Sequence, residues 1–232
     1  MSKLFPYADV AIASMVAALS VPFLPLTAPS DLHVANHLSL VAEPETAKAV
    51  SQLSPEWRVA RAALRMITEG ESRCAGLSAY AVMYGCRPFT DMSSHPDQCF
   101  PINLPGYEGL CSTAAGRYQF ITTTWEMSVS YCADQGIVID DFSPSSQDMG
   151  AVCLMAKTDA LQSLLQGIQS NPEDGSVTVT RDAFETFLVS ASVEWASLAY
   201  SDANQPTLSA ETLWVHFNQH LHHENFPAAP SP

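Results

Sequence analysis

Apolar residues recur at helical spacing along most of the chain, with one early region that breaks the rhythm. Between residues 54 and 69, Trp57, Ala60, Leu64 and Ile67 fall three or four positions apart, the spacing of one helix face. Ser54 is a good N-cap there, Pro55 suits the first helical position, and Glu56 complements the positive end of the helix dipole. Arg58, Arg61 and Arg65 fall on the other side, and Gly70 is a stop signal. Residues 72 to 112 show no long helical period and many turn formers, which predicts a short β-hairpin and loops, with strand character at Ala79 to Tyr84. Small residues then lead through "GRYQF" into a second helix near Thr123. A third is expected from about Ser145, capped by Ser145 or Ser146, with Met149, Val152, Ala156 and Ala160 on one face. After the loop "NPEDGSV", "TRDAFETFLVSASVEWASL" reads as a fourth helix. The last, "SAETLWVHFNQHLHH", presents Leu213, Trp214, Phe217 and Leu221 as its buried stripe.

The two ends differ from this middle. No charged residue occurs between Asp9 and Asp31, a run long enough to be considered as a membrane span but only weakly apolar and interrupted by Pro22 and Pro25. Residues 1–28 are therefore expected to be a hydrophobic export or anchor segment, and residues 29–53 a linker with scattered Pro and Ser. The globular domain is expected over 54–225, followed by a disordered tail at 226–232.

Charge narrows the partners. The chain has 24 acids and 10 Lys or Arg, a formal net charge of −14. Four acids (Asp9, Asp31, Glu43, Glu45) and two bases (Lys3, Lys48) precede residue 54, so 20 acids and 8 bases belong to the domain itself. Such a surface repels nucleic acid and anionic lipid. Six cysteines occur, none in a C-x-x-C pair, which is poor spacing for zinc or a redox dithiol. An even, well-spread set suits disulfides in an oxidising compartment and agrees with an export segment. His216, His220, His222 and His223 bring no third metal ligand in a zinc motif and read as solvated histidines at a chain end. No metal and no cofactor are expected.

Candidate chemistry gathers at the end of the first helix, where Glu69 and Glu71 flank Gly70. A carboxyl at a helix C-terminus is opposed by the dipole, and apolar walls would raise its pKa further, as a general acid needs. Two residues apart on a continuing helix, the two carboxyls project ~200° from each other, so both cannot face one cleft.

Five stretches occur in a fixed order: "TEGES" (68–72), "FTDMSSHP" (89–96), "STAAGRYQF" (112–120), "DFSPSSQD" (141–148) and "EWASL" (194–198). With these the chain resembles the lambda-type phage endolysins, lytic transglycosylases that cut peptidoglycan. The resemblance spans roughly residues 55–223. It implies an α+β, lysozyme-like fold, mainly helical, with a small β lobe and a substrate cleft between the lobes. It makes Glu69 the catalytic acid, with Glu71 as its rival. It places Arg117, Tyr118 and Gln119 on the segment lining the cleft near the scissile bond, Trp195 and Ser197 on the far wall, and Asp91 and His95 on the loop before the upper lip. The chain departs from the family in its hydrophobic N-terminal extension, its six cysteines and its acidity.

A lytic transglycosylase needs one carboxyl, whereas an ordinary glycosidase uses two, roughly 5–9 Å apart. In a hydrolytic muramidase Asp91 would be the second. A non-catalytic glycan-binding module is the reading outside enzymology. Sequential pairing of the cysteines, Cys74–Cys86, Cys99–Cys111 and Cys132–Cys153, would brace the β lobe, the lip loop and two neighbouring helices. The expected protein is a monomer acting on peptidoglycan glycan strands. It is exported either by a cleaved signal peptide or, as the reading preferred here, by a release anchor that tethers it to the inner membrane before it enters the periplasm.

Overall fold

The computed structural model describes residues 53–226, apart from residues 73, 104 and 203–205. The export segment, nearly all of the linker and the tail from residue 227 lie outside the described residues. Among the described residues, no helix is long and apolar enough to cross a membrane.

Among the described residues, six helices and three small hairpins follow in the order α1 (Pro55–Glu71), β1 (Val82–Met83), β2 (Arg87–Pro88), β3 (Phe100–Pro101), β4 (Cys111–Ser112), α2 (Thr122–Asp134), α3 (Pro144–Lys157), α4 (Ala160–Gln166), β5 (Ile168–Ser170), β6 (Val177–Val179), α5 (Arg181–Ala191) and α6 (Ala210–Asn225). The class is α+β, with the helices around one core and β1 to β4 as a separate lobe.

The first helix forms as its sequence dictates, with the Ser54 hydroxyl accepting the Trp57 amide at 3.4 Å. Ala60, Leu64 and Ile67 are buried, and Trp57 is half-buried. Val59, Ala62, Ala63 and Met66 are buried as well, a wider face than one stripe, because α1 packs on α6 and also on α3, α4 and the β5–β6 hairpin. The arginine side is not simply solvated. Arg61 Nε and Arg65 Nε reach the Glu224 carboxylate of α6 at 3.0 and 2.9 Å, and Glu224 is only 2% exposed.

Several boundaries differ from expectation for local reasons. Helix α3 begins at Pro144 with Ser143 as its cap, two or three residues before the expected caps, because proline at the first position has no amide to leave unsatisfied. It is buried nearly all round, as a central core helix should be. Asp159 adopts φ 60° and separates α3 from α4, where the helical spacing through Ala160 predicts one continuous helix. The stretch around "NPEDGSV", expected as a loop, is the β5–β6 hairpin, with Ile168 opposite Val179 and Ser170 opposite Val177. Helix α5 stops at Ala191, so "EWASL" is a non-helical turn rather than a helix end; the Glu194 and Trp195 amides donate to the Ala191 carbonyl. In α6, Leu213, Phe217 and Leu221 are buried and Trp214 only in part.

The strand expected over Ala79 to Tyr84 is shorter: a 3-10 turn at Ala79–Ala81 precedes β1. β1 pairs antiparallel with β2, and β3 with β4. Ala115 bridges both Met83 and Phe120, which carries the lobe into "GRYQF". The three disulfides are Cys74–Cys86, Cys99–Cys111 and Cys132–Cys153, the sequential pairs. They close the β1–β2 lobe, the base of the loop between β3 and β4, and the α2–α3 pair.

Candidate active site

Helix rotation sends the two glutamates at the end of α1 to different places. Glu69 turns toward α6, where its Oε1 lies 3.4 Å from His220 Nε2 and its side chain is 41% exposed. It is not among the residues that line the cleft. Glu71 does line it. Its Oε1 accepts two hydrogen bonds from one residue across the cleft floor: the Ser197 amide at 3.2 Å and the Ser197 hydroxyl at 2.6 Å. Burial raises the Glu71 pKa, and the two Ser197 bonds act against that rise. Gly70 makes the approach possible. A Cβ there would stand 2.2 Å from Ser197 Oγ and 2.7 Å from Ser197 Cβ.

The cleft runs between the β lobe and the helical body. Tyr84, Ile102, Tyr107, Cys111 and Thr113 line it from the lobe, Tyr118, Gln119 and Phe120 from the "GRYQF" turn, and Glu194, Trp195 and Ser197 from the far wall. Gln119 holds φ 47° while its side-chain amide donates to the Gly116 carbonyl at 2.8 Å. Trp195 is 2% exposed and serves mainly as the packed base of its wall. None of the described residues lining the cleft is Lys, Arg or His.

Behind the turn lies a partly buried polar network. Arg117 does not line the cleft. Its Nε donates to Thr68 Oγ1 at 2.6 Å, and its Nη1 donates to the Tyr80 hydroxyl and stands 3.5 Å from Asp148. Tyr118 and Tyr80 donate to the same Asp148 carboxylate at 2.6 and 3.0 Å. Burial, then the Asp148 charge, pushes the Tyr118 phenol well above its usual range, so it stays a donor. Arg117 thus ties α1, one residue before Glu69, to the lobe and to α3. Gln147 completes the joint: its Oε1 accepts the Arg117 amide at 2.8 Å, and its Nε2 donates to the Tyr80 and Phe142 carbonyls.

His95 and Asp91 also stay outside the cleft. The His95 Nε2–H donates to the Phe120 carbonyl at 2.8 Å, and Nδ1 accepts the Asp97 amide at 3.1 Å, which assigns a neutral tautomer. Burial lowers its pKa although the Phe120 bond and nearby acids oppose this. Asp91 is exposed and closes a local turn, accepting the Ser93 amide and hydroxyl at 2.9 and 2.6 Å.

A family model described as Endolysin matches residues 61–223. The chain belongs to the endolysin family. Over 88 residues it is 36% identical to the endolysin of Escherichia phage lambda; that match takes in 38% of this chain and spans half (50%) of the relative. The fold matches that of bacteriophage lambda lysozyme complexed with a chitohexasaccharide, with a TM-score of 0.54, 26% identity, and coverage of 73% of this chain and 96% of that one. A second structure of lysozyme from bacteriophage lambda matches with a TM-score of 0.51 and 26% identity, covering 70% and 94% of the two chains.

In this endolysin, then, Tyr118, Gln119, Trp195 and Ser197 meet at one cleft with Glu71, while Glu69, Asp91, His95 and Arg117 do not. Glu194 is the cleft carboxyl that sequence reasoning missed. It is half-buried, and burial raises its pKa against the opposing effect of Lys157. It opens the "EWASL" stretch, but the resemblance assigns roles there only to Trp195 and Ser197.

Proposed function

We propose that this endolysin degrades bacterial peptidoglycan by lytic transglycosylation, with Glu71 as its single acid–base group. The observation that carries the reading is the Glu71 carboxyl itself, set in the cleft wall at the end of α1, with burial favouring its protonated form. Protonated Glu71 gives its proton to the oxygen bridging N-acetylmuramic acid and N-acetylglucosamine, and the C1–O bond breaks. The muramyl C6 hydroxyl closes on C1 as a 1,6-anhydro ring, and its proton returns to the Glu71 carboxylate. Water is not consumed. The glycan bound to the lambda lysozyme, a chitohexasaccharide, supports a β-1,4-linked amino-sugar strand as the ligand.

Hydrolysis is the second reading, and Glu194 rather than Asp91 is the carboxyl that favours it, since it lines the same cleft. The upward shift at Glu194 works against it, because a nucleophile or base must stay charged beside an oxocarbenium-like centre. Mass spectrometry of products from purified peptidoglycan separates the two. Muropeptides lighter by one water, lost with Glu71→Gln and retained with Glu69→Gln, support the proposal. Reducing-end muramic acid lost with Glu194→Gln identifies a hydrolase.

Export belongs to the same proposal. The three disulfides suit an oxidising compartment, and residues 1–28 would supply the route. N-terminal sequencing of the protein recovered from lysing cells distinguishes a cleaved leader from a released anchor.

A further inference from the structure

Arg117 was expected on the cleft wall with Tyr118 and Gln119, yet its guanidinium points the other way, into the joint between the β lobe and the helical body. Its Nε–H donates to Thr68 Oγ1 at 2.6 Å, and Thr68 Oγ1 donates in turn to the Leu64 carbonyl of α1 at 2.9 Å. The Tyr80 hydroxyl accepts from Arg117 Nη1 and donates to Asp148 at 3.0 Å. Each of these hydroxyls has one hydrogen and has already committed it, so the bonds run in one direction only. Arg117 Cζ also lies 5.0 and 5.5 Å from the centres of the Tyr80 and Tyr118 rings, and Gln147 fixes its amide. Held by its main chain, its ring neighbours and its charge partner, Arg117 carries that rigidity through Thr68 to the last turn of α1.

We propose that Arg117 is a positioning residue for the reaction: through Thr68 it fixes the carboxyl-bearing end of α1 against the Tyr118–Gln119 turn that lines the cleft. The inference rests on the cleft as the glycan site. It holds for either carboxyl, because Glu69 and Glu71 both follow Thr68 in the same turn of helix. Thr68 and Arg117 are 49 positions apart, with the whole β lobe between them, so the covalent chain does not set their spacing. An acid on one wall and a sugar seated against the other react only while that spacing is kept, and a displacement of about 1 Å costs ~100-fold in rate.

Thr68→Val removes the acceptor at nearly unchanged volume. Arg117→Lys keeps a charge beside Asp148 but loses the fork that reaches two partners. Both variants, their double and Thr68→Ser are assayed on solubilised glycan strands of peptidoglycan, with melting followed by circular dichroism as the check on folding. Thr68→Val and Arg117→Lys are each expected to lower kcat about ten- to a hundredfold, with KM within about twofold of wild type. The double variant falls no further than the slower single, as befits two ends of one bond. Thr68→Ser, which keeps the hydroxyl, recovers most of the rate. A lowered Tm with kcat unchanged overturns the proposal and leaves the network a brace. A raised KM with kcat kept overturns it in favour of Arg117 binding the glycan. Losses that add in the double variant overturn the link through Thr68. Wild type that leaves the glycan strands uncut overturns the activity proposed above, and this role with it.

Discussion

Glu224 offers the clearest test of how α1 is held to α6. It lies in the last turn of α6, where the helix dipole disfavours a carboxylate, and it is 2% exposed. Arg61 and Arg65 of α1 offset this by donating to its two oxygens at 3.0 and 2.9 Å. Glu224→Gln keeps the shape and removes the charge both guanidiniums share. Breaking a fully buried pair costs about 3–5 kcal/mol. The Arg61 and Arg65 side chains are 24% and 38% exposed, so water takes up part of the loss. The expected cost is about 2–3 kcal/mol, or a Tm lowered by roughly 5–10 °C for a domain of this size. Urea unfolding under non-reducing conditions, followed by circular dichroism, measures it with the disulfides intact. Glu211→Gln is the control, since Glu211 is 74% exposed in its pair with Arg181, and a change within about 0.5 kcal/mol is expected there. Equal effects of the two variants would refute the claim that burial makes the Glu224 pair matter.

Four further outcomes are expected. Replacing Cys99 and Cys111 by alanine opens a loop of sequence separation 12, costs up to about 3 kcal/mol by loop entropy, and lowers kcat/KM, because Ile102, Tyr107 and Cys111 line the cleft; loss of Cys132–Cys153 lowers thermal stability with turnover on peptidoglycan retained below the melting range. Gly116→Ala is expected to destabilise by at least about 2 kcal/mol in the same urea assay, since Gly116 holds φ 75° and a Cβ would lie 2.3 Å from Gln147 Oε1. His95 has a folded pKa below its ordinary value of 6.5, so the unfolded chain takes up its proton first and stability falls as pH drops below that value. Unfolding free energies measured between about pH 7.5 and about pH 5, a range that spans the unfolded pKa, should show less acid sensitivity in His95→Gln than in wild type.

Much of the helical body was legible in the sequence because it rests on local physics. The Ser54-Pro55 start of α1 and the stripe of α6 follow from capping chemistry and the helical repeat, which neighbours do not alter. The β5–β6 hairpin was not legible, since its strands are three residues each and too short to show alternation. "EWASL" has a helical composition, but the chain turns after Ala191 and Trp195 is buried in that turn.

The choice between Glu69 and Glu71 shows where the boundary lies. By itself the sequence determined that the two carboxyls at the end of α1 project in different directions and cannot both face one cleft. It also held an unused hint: Glu71 continues the apolar series Ala60, Leu64, Ile67, whereas Glu69 follows Arg61 and Arg65 on the polar side. Only the tertiary structure shows which carboxyl lines the cleft. A helix face acquires its meaning from what covers it: α6 brings His220 to Glu69, and the turn after α5, separated from α1 by more than a hundred residues, brings Ser197 to Glu71.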